Sequence, residues 1–243
     1  MSTIRLNKFI QDQGLSSRRG ADDLIKEGRV RVNGKTAALG MQIDEKDEVT
    51  VDGKKLQNKN KKVVLAYNKP VGVTCTEKDR FADKKITDMI NYPVRVTYAG
   101  RLDKDSEGLM LLTNDGDLIN ALMRGNAGHE KEYVVKVNKE ITEDFIKKMS
   151  SGIYLKELNI TTKPCVVKKD GKFTFRITLT QGVNRQIRRM CKELNYYVTH
   201  LRRVRIANIQ LANLKYGDFR EISGIELQTL YNIAAKSGVN NRA

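Results

Sequence analysis

Between Lys54 and Lys62 the apolar pattern of the chain stops. Those nine residues are Lys, Asn and Gln around one apolar side chain, Leu56. A stretch like this has too little to bury to join a core. It reads as a linker, and the change of composition on both sides favours that over a surface loop inside one domain. The break forces a two-part architecture, residues 1–58 and residues 59–243. Each part must then close its own hydrophobic core.

In the first part, Ile4, Leu6, Phe9 and Ile10 have helical spacing. A break follows at Gly14-Leu15-Ser16-Ser17, where serine can cap a second helix. That helix runs from Arg18 to Glu27 over a thin stripe of Ala21, Leu24 and Ile25, and Gly28 ends it. Val30-Arg31-Val32 and Val49-Thr50-Val51 read as short strands, with turns at Asn33-Gly34 and Asp52-Gly53. The unit is two helices and a small sheet.

The second part reads as α+β. Strands are predicted at Val63–Tyr67, Arg95–Ala99, Leu109–Thr113 and Tyr133–Val137. Another lies at Phe173–Thr180, where Phe173, Phe175, Ile177 and Leu179 alternate with polar residues. Helices are predicted at Leu118–Met123, from a Thr142 cap through Met149, at Arg185–Leu194, and at Leu227–Ala235 behind a Ser223/Glu226 capping box. Strands and helices are interspersed without a βαβ rhythm, so a mixed or antiparallel sheet is expected rather than a doubly wound one.

Lys and Arg number 45 against 29 Asp and Glu, a net charge of +16. A compact chain with that excess repels itself unless a polyanion neutralises it, and the usual polyanion is nucleic acid. The cysteines Cys75, Cys165 and Cys191 form no CxxC pair, and only two histidines exist, which excludes a zinc site at short spacing. An odd, sparse cysteine set suits a reducing compartment, so a cytoplasmic protein is expected. Met1–Ile10 contains Arg5 and Lys8 and no apolar run, unlike a signal peptide or a membrane span. No heptad stripe appears, and a monomer is expected.

Four segments can carry chemistry, and the residues alone leave each open. Arg18 and Arg19 at a helix start, with Lys26, Arg29 and Arg31, can hold phosphates or simply face water. The loop from Gly100 to Gly108 carries Asp103, Asp105 and Glu107; Asp103 and Asp105 can act as acid and base, or the loop can be a charged hairpin. Tyr133 opens a strand, where packing is the ordinary role of a tyrosine, and His129 beside it reads as structural or RNA-facing. From Gln181 to Arg205 there are seven Lys or Arg against one Glu. On a helix Arg185, Arg188, Arg189 and Lys192 share a face, either a polyanion surface or a solvated one.

The run Arg5-Leu6-Asn7-Lys8 … Gly14-Leu15-Ser16-Ser17-Arg18-Arg19 … Gly28-Arg29-Val30-Arg31-Val32-Asn33-Gly34 resembles an S4-like RNA-binding domain over most of residues 3–53. The resemblance implies binding of structured RNA, with Arg5, Lys8, Arg18 and Arg19 as contacts. Gly20 stands where many members carry a larger polar residue. The run Gly100-Arg101-Leu102-Asp103-Lys104-Asp105-Ser106-Glu107-Gly108-Leu109-Met110-Leu111-Leu112-Thr113 resembles the signature loop of pseudouridine synthases of the RsuA/RluB/RluE/RluF group. That resemblance makes Asp103 the catalytic aspartate and gives Arg101 the place in the stack that a flipped base leaves. It makes Tyr133 of Lys131-Glu132-Tyr133 the ring that stacks on the uracil and takes the C5 proton. It assigns Arg188 the salt bridge to Asp103, with Arg189 competing, and leaves Arg185 and Arg189 as RNA contacts. Asn68-Lys69-Pro70-Val71-Gly72 resembles the family's first motif, which frames the site, and Lys69 is carried as an RNA contact. The resemblance spans nearly the whole chain. Gly125–Tyr133 and Ile141–Met149 look most like the RluF-type enzymes of large-subunit (23S) ribosomal RNA, with tRNA and 16S rRNA as other substrates.

Pseudouridine forms when the N1–C1′ bond breaks, uracil rotates and C5 joins C1′. No redox change or energy source is involved, so no cofactor or metal is expected, and the sequence offers no nucleotide-binding glycine loop. The base must leave its stack. Asp103 must be ionised either to attack C1′ or to remove the C2′ proton, and a nearby arginine favours that form. Two rivals remain: a binding-only ribosome assembly factor, which intact Asp103, Tyr133 and Arg188 weigh against, and a glycoside hydrolase using Asp103 and Asp105. The +16 charge and the absence of Trp weigh against the hydrolase.

Overall fold

The computed structural model describes residues 3–44, 46–56, 61–76, 84–123 and 128–239. Residues 57–60 of the expected linker and residues 125–127 of the RluF-like segment lie outside the described residues. The chain divides into two compact units. One takes Met1–Val63 with Tyr92–Val96 and Asn114–Gly116; the other takes Val64–Asn91, Thr97–Thr113 and Asp117–Ala243.

The first unit contains β1 (Ile4–Arg5), α1 (Leu6–Asp12), α2 (Arg18–Lys26), β2 (Val30–Val32), β3 (Lys35–Thr36), β4 (Gln42–Ile43), β5 (Val49–Val51) and β6 (Lys54–Lys55). Ser17 caps α2: its Oγ accepts the Gly20 N–H at 3.1 Å. Asn33 and Gly34, and Asp52 and Gly53, all have positive φ, the conformation two-residue hairpin turns require. Ile4 departs from the helical reading. It pairs with Ile43, so β1 and β4 form a two-stranded ribbon and the helix begins only at Leu6. Leu6, Ile10, Ala21, Ile25, Val30, Ile43, Val49 and Val51 make the core.

The second unit contains β7 (Val64–Lys69), β8 (Thr97–Ala99), β9 (Glu107–Thr113), α3 (Gly116–Met123), β10 (Lys131–Val137), α4 (Glu143–Ser151), β11 (Tyr154–Leu155), β12 (Ile160–Thr161), β13 (Val166–Gly171), β14 (Thr174–Leu179), α5 (Gln186–Glu193), β15 (Val198–Ile206), β16 (Ile209–Gln210), β17 (Phe219–Glu221) and α6 (Gly224–Val239). Seven strands run in the order β13-β14-β10-β15-β9-β7-β17, with β16 beside β15 and β8 beside β9. The β15–β9 pair is parallel and the other pairs are antiparallel, a mixed sheet in an α+β fold. Every residue of β7 and β9 is buried, which marks them as the sheet's centre. One core joins α4 and α5 to Val135, Phe175, Ile177 and Leu179; a second joins α3 and α6 to Val64, Leu109 and Leu111. Thr142 caps α4 as expected, its Oγ1 accepting the Phe145 N–H at 3.1 Å. In the expected Ser223/Glu226 capping box, the Glu226 side chain takes Arg220 instead, through both oxygens at 2.7 Å. Among the described residues no helix is long and apolar enough to cross a membrane.

Candidate active site

The loop from Gly100 to Ser106 joins β8 to β9. Gly100 has φ +83°, a conformation that side-chain-bearing residues adopt only with strain, so the entry to the loop favours glycine. Leu102 is buried and anchors the loop, while Arg101 on one side of it is exposed and Asp103 on the other is partly exposed. The Ser106 N–H donates to Asp103 O at 3.1 Å, and the Gly72 N–H donates to Lys104 O at 2.7 Å. A short turn braced from outside therefore carries Asp103.

Two arginines from the start of α5 reach this turn. Arg185 donates through Nη2 to Asp105 Oδ2 at 2.8 Å and through Nη1 to Asp105 Oδ1 at 3.2 Å, a bidentate fork. Its Nη1 also lies 3.7 Å from Asp103 Oδ2. Arg188, expected on Asp103, instead has its Nε 3.4 Å from Asp105 Oδ2. Its Nη2 donates to Asp105 O at 2.8 Å and to Ser106 Oγ at 3.2 Å. Both arginines thus converge on Asp105, and only Arg185 also approaches Asp103. Burial opposes the charge on Asp105, but the Arg185 hydrogen bond and the Arg188 and Arg185 charges outweigh it and hold the carboxyl below its usual range.

The sheet sets a row beneath the loop. Tyr133 on β10 stands opposite Ile177 and Arg203, Arg203 stands opposite Gly108, and Gly108 stands opposite Lys69. Residues directly opposite share a face, so Tyr133, Arg203 and Lys69 lie on one side of the sheet with a glycine gap between the cations. Arg203 is buried; its Nε donates to Leu109 O at 2.7 Å and its Nη2 lies 3.0 Å from Met110 Sδ. Lys131, two residues before Tyr133, has its amine pushed down to about 8 by burial and by the Arg203 charge.

Two residues expected to contact RNA, Lys69 and Arg189, are engaged within the protein, and His129 takes the structural one of its two expected places. Lys69, expected to contact RNA, is wholly buried, its Nζ donating to Pro70 O at 2.8 Å and Val73 O at 2.9 Å. It ties down the turn after β7 and offers no surface. Arg189 pairs with Glu157 and reaches Asn184, away from both aspartates, and Lys192 also takes Glu157. The four cations of α5 therefore do not act as one face. His129 is buried, with Nε2 3.1 Å from Ala121 O; burial lowers its pKa. Arg5, Arg18 and Arg19 are exposed on the first unit and Lys8 is half-buried there; Arg18 Nε donates to Gln11 Oε1 at 2.9 Å. The sequence shows Lys131 only as part of Lys131-Glu132-Tyr133 and Arg203 only as one cation of a basic run, and assigns neither a role. Among the described residues no group of three or more His, Cys, Asp or Glu side chains is placed to hold a metal ion.

A carboxylate on a clamped turn, two arginines across it and a tyrosine on the adjoining sheet are the parts of an enzyme that works on an anionic polymer. Residues 63–193 match the family described as RNA pseudouridylate synthase and residues 4–49 match the S4 domain. The chain belongs to the RNA pseudouridylate synthase family and carries an S4 domain ahead of the synthase region; it is an isomerase that converts uridine to pseudouridine. It is 46% identical over 238 residues to the dual-specificity RNA pseudouridine synthase RluF of Escherichia coli K12, covering 97% of this chain and 81% of that one. It is 37% identical to the ribosomal large subunit pseudouridine synthase B of Bacillus subtilis, covering 95% and 96%. A crystal structure of a pseudouridylate synthase superposes with a TM-score of 0.69 at 28% identity, covering 93% of this chain and 99% of that one.

Proposed function

We propose that this synthase acts on ribosomal RNA, with 23S RNA of the large subunit as its substrate, and that Asp103 is the catalytic carboxylate. The observation that carries the assignment is the braced turn. Asp105 gathers both arginines, leaving Asp103 partly exposed with Arg185 3.7 Å away. That geometry gives Asp103 a counter-charge without consuming its oxygens in a bidentate pair, as attack at C1′ or proton removal at C2′ demands. Arg101, exposed beside the buried Leu102, fills the gap left by the extruded base. Tyr133 stacks on the uracil and receives the C5 proton. Arg188 holds the loop. The large-subunit substrate rests on the name of the Bacillus relative. A second RNA substrate, tRNA, is part of the proposal because another relative is named as dual-specificity. Residues 1–58 are the RNA-holding domain, through Arg5, Lys8, Arg18 and Arg19, and residues 59–243 are the catalytic domain. The protein works in the cytoplasm as a monomer without a cofactor.

Tritium release from RNA labelled at uracil C5 tests this. Wild type releases label from 23S RNA, and Asp103→Asn loses roughly 10²–10⁴-fold of the rate. Equal release from both proteins would remove Asp103 from the chemistry. No release by wild type from 23S RNA or tRNA would favour a protein that only binds RNA.

A further inference from the structure

The turn Lys215–Gly217 between β16 and β17 belongs to none of the motifs above. It is stitched to the end of β7, at Asn68. The Gly217 N–H donates to Asn68 O at 2.9 Å and the Asn68 N–H to Asp218 O at 3.0 Å. Asn68 Nδ2 donates to Leu214 O at 2.8 Å. A Cβ on Gly217 would lie 3.9 Å from Pro70 Cγ. The segment that follows β7 is bonded to the catalytic loop, because Gly72 N–H meets Lys104 O at 2.7 Å, one residue from Asp103. The buried Lys69 ammonium ties Pro70 O to Val73 O within it. A braced backbone path thus runs from the 215–217 turn to the turn that carries Asp103.

On that path two apolar side chains stand in solvent: Tyr216 at 50% exposure and Val71 at 51%. Lys215 and Lys104 are exposed next to them in the chain. Among the described residues the other large exposed aromatic side chains lie on β11, on the β13–β14 turn and just before β15. Tyr154 is tied by its hydroxyl to Asn159, Phe173 lies under the Lys172 ammonium, and Tyr197 has its main chain held by Asn138.

An enzyme that extrudes a base must hold the nucleotides on either side of it. An aromatic face accepts any base and a lysine accepts its phosphate, a combination suited to unpaired RNA. We propose that Tyr216, with Val71 on the neighbouring turn, is the platform on which a nucleotide flanking the target uridine stacks, and that Lys215 takes the phosphate of that nucleotide. The inference rests on the synthase reading and extends it to substrate grip. Because the platform is fixed to the catalytic turn through main-chain bonds, its distance from Asp103 is set before RNA arrives, which lowers the ordering required on binding.

Filter binding and tritium release, both on a 23S RNA transcript labelled at uracil C5, test the platform. Tyr216→Ala weakens Kd and raises KM about tenfold while kcat stays within about twofold. Tyr216→Phe keeps the ring and stays within about twofold of wild type on both, as does Tyr197→Ala. Lys215→Ala weakens binding and reduces the slope of log Kd against log salt by about one. Unchanged Kd in Tyr216→Ala overturns the platform, and so does an equal loss in Tyr216→Phe, which would point to the hydroxyl. An unchanged salt slope in Lys215→Ala overturns the phosphate contact. If wild type binds the RNA and releases no tritium, the synthase reading fails on its own, and the Kd ratios still decide for or against Tyr216.

Discussion

On one face of the large sheet, Glu107 takes His200 at 3.2 Å and Arg202 at 3.6 Å. Glu132 on the same face takes Arg176 at 3.3 Å and Arg205 at 3.1 Å, and Asp170 takes Arg176 at 3.2 Å. On the opposite face Lys69, Arg203 and Lys131 meet the carbonyls of Pro70, Val73, Leu109 and His129. The first face neutralises its cations internally with carboxylates. The second satisfies the hydrogens of its cations with neutral acceptors and leaves their field uncancelled, apart from Asp103 and Asp105 at the rim, which both act on Lys69. A field of that kind costs stability, since buried cations without counter-charge are expensive, and it favours an anion arriving beside Tyr133. On the role proposed for Tyr133, the difference separates a face that holds the sheet together from a face that does chemistry.

The largest break in that arrangement would come at Gly108, where the row of cations is interrupted. A Cβ there would lie 2.3 Å from Arg203 O and 2.8 Å from Arg203 N, at φ +103°. Both atoms are backbone and cannot swing aside. Gly108→Ala is expected to lose roughly 2–5 kcal/mol in thermal or urea unfolding. A variant as stable as wild type would show that the parallel β9–β15 pair does not need this approach.

The rim acids give the next effect. Asp105→Asn removes the charge that gathers Arg185 and Arg188, and kcat is expected to fall on the order of 10²-fold through loss of positioning. The pH dependence has a definite sign. The folded pKa of Asp105 lies below its ordinary value, so its contribution to stability is complete above about pH 4 and is lost as pH falls through the folded pKa. The stability gap between wild type and Asp105→Asn, followed by urea unfolding, should therefore close in acid. A gap that persists at low pH would assign the effect to shape and not to charge.

Local chemistry is legible in the sequence. The Ser17 and Thr142 caps and the Asn33-Gly34 and Asp52-Gly53 turns form where residues at fixed short offsets dictate them. Elements defined by distant partners are not legible in the same way. Strand β15 reads only as a basic run, because its charges point both ways: His200 and Arg202 toward Glu107, Arg203 into the protein. Helical spacing puts Arg185, Arg188 and Arg189 on one face. The acids that sort them, Asp105 and Glu157, lie on separate loops far away in sequence. Lys69 beside a proline at a strand end reads as a surface lysine, and only the fold of the following turn supplies the two carbonyls that bury it. The family resemblance singles out Asp103; it does not reveal that Asp105 holds both arginines.

Lys131 sharpens the comparison at a smaller scale. Its amine falls from 10.5 to about 8 through burial and the Arg203 charge. Between those values the unfolded chain binds a proton that the folded chain has released, so stability rises with pH across the window and the full penalty is present below pH 8. A shift of that size corresponds to roughly 3–4 kcal/mol before solvent screening of this half-buried amine reduces it. Lys131→Met is therefore expected to be more stable than wild type by about 2 kcal/mol at neutral pH, with the advantage vanishing near pH 10.5. Paired denaturation curves at pH 7 and pH 10.5 check this. An advantage that does not shrink would mean that the stabilisation comes from packing and that the uncancelled field is small.

The ladder on the other face should respond least. Arg176 touches both Glu132 and Asp170, yet its side chain is 43% exposed, and water screens such pairs. Arg176→Met removes two contacts from a face where Glu132 keeps Arg205. The expected loss is below about 1 kcal/mol, shrinking further in high salt, with kcat within about twofold of wild type. Urea midpoints at low and high salt, read beside tritium release, would measure both. A drop in kcat comparable to that of Asp105→Asn would erase the distinction between the faces, because it would mean that the ladder also sets the geometry of Tyr133 through the strand they share.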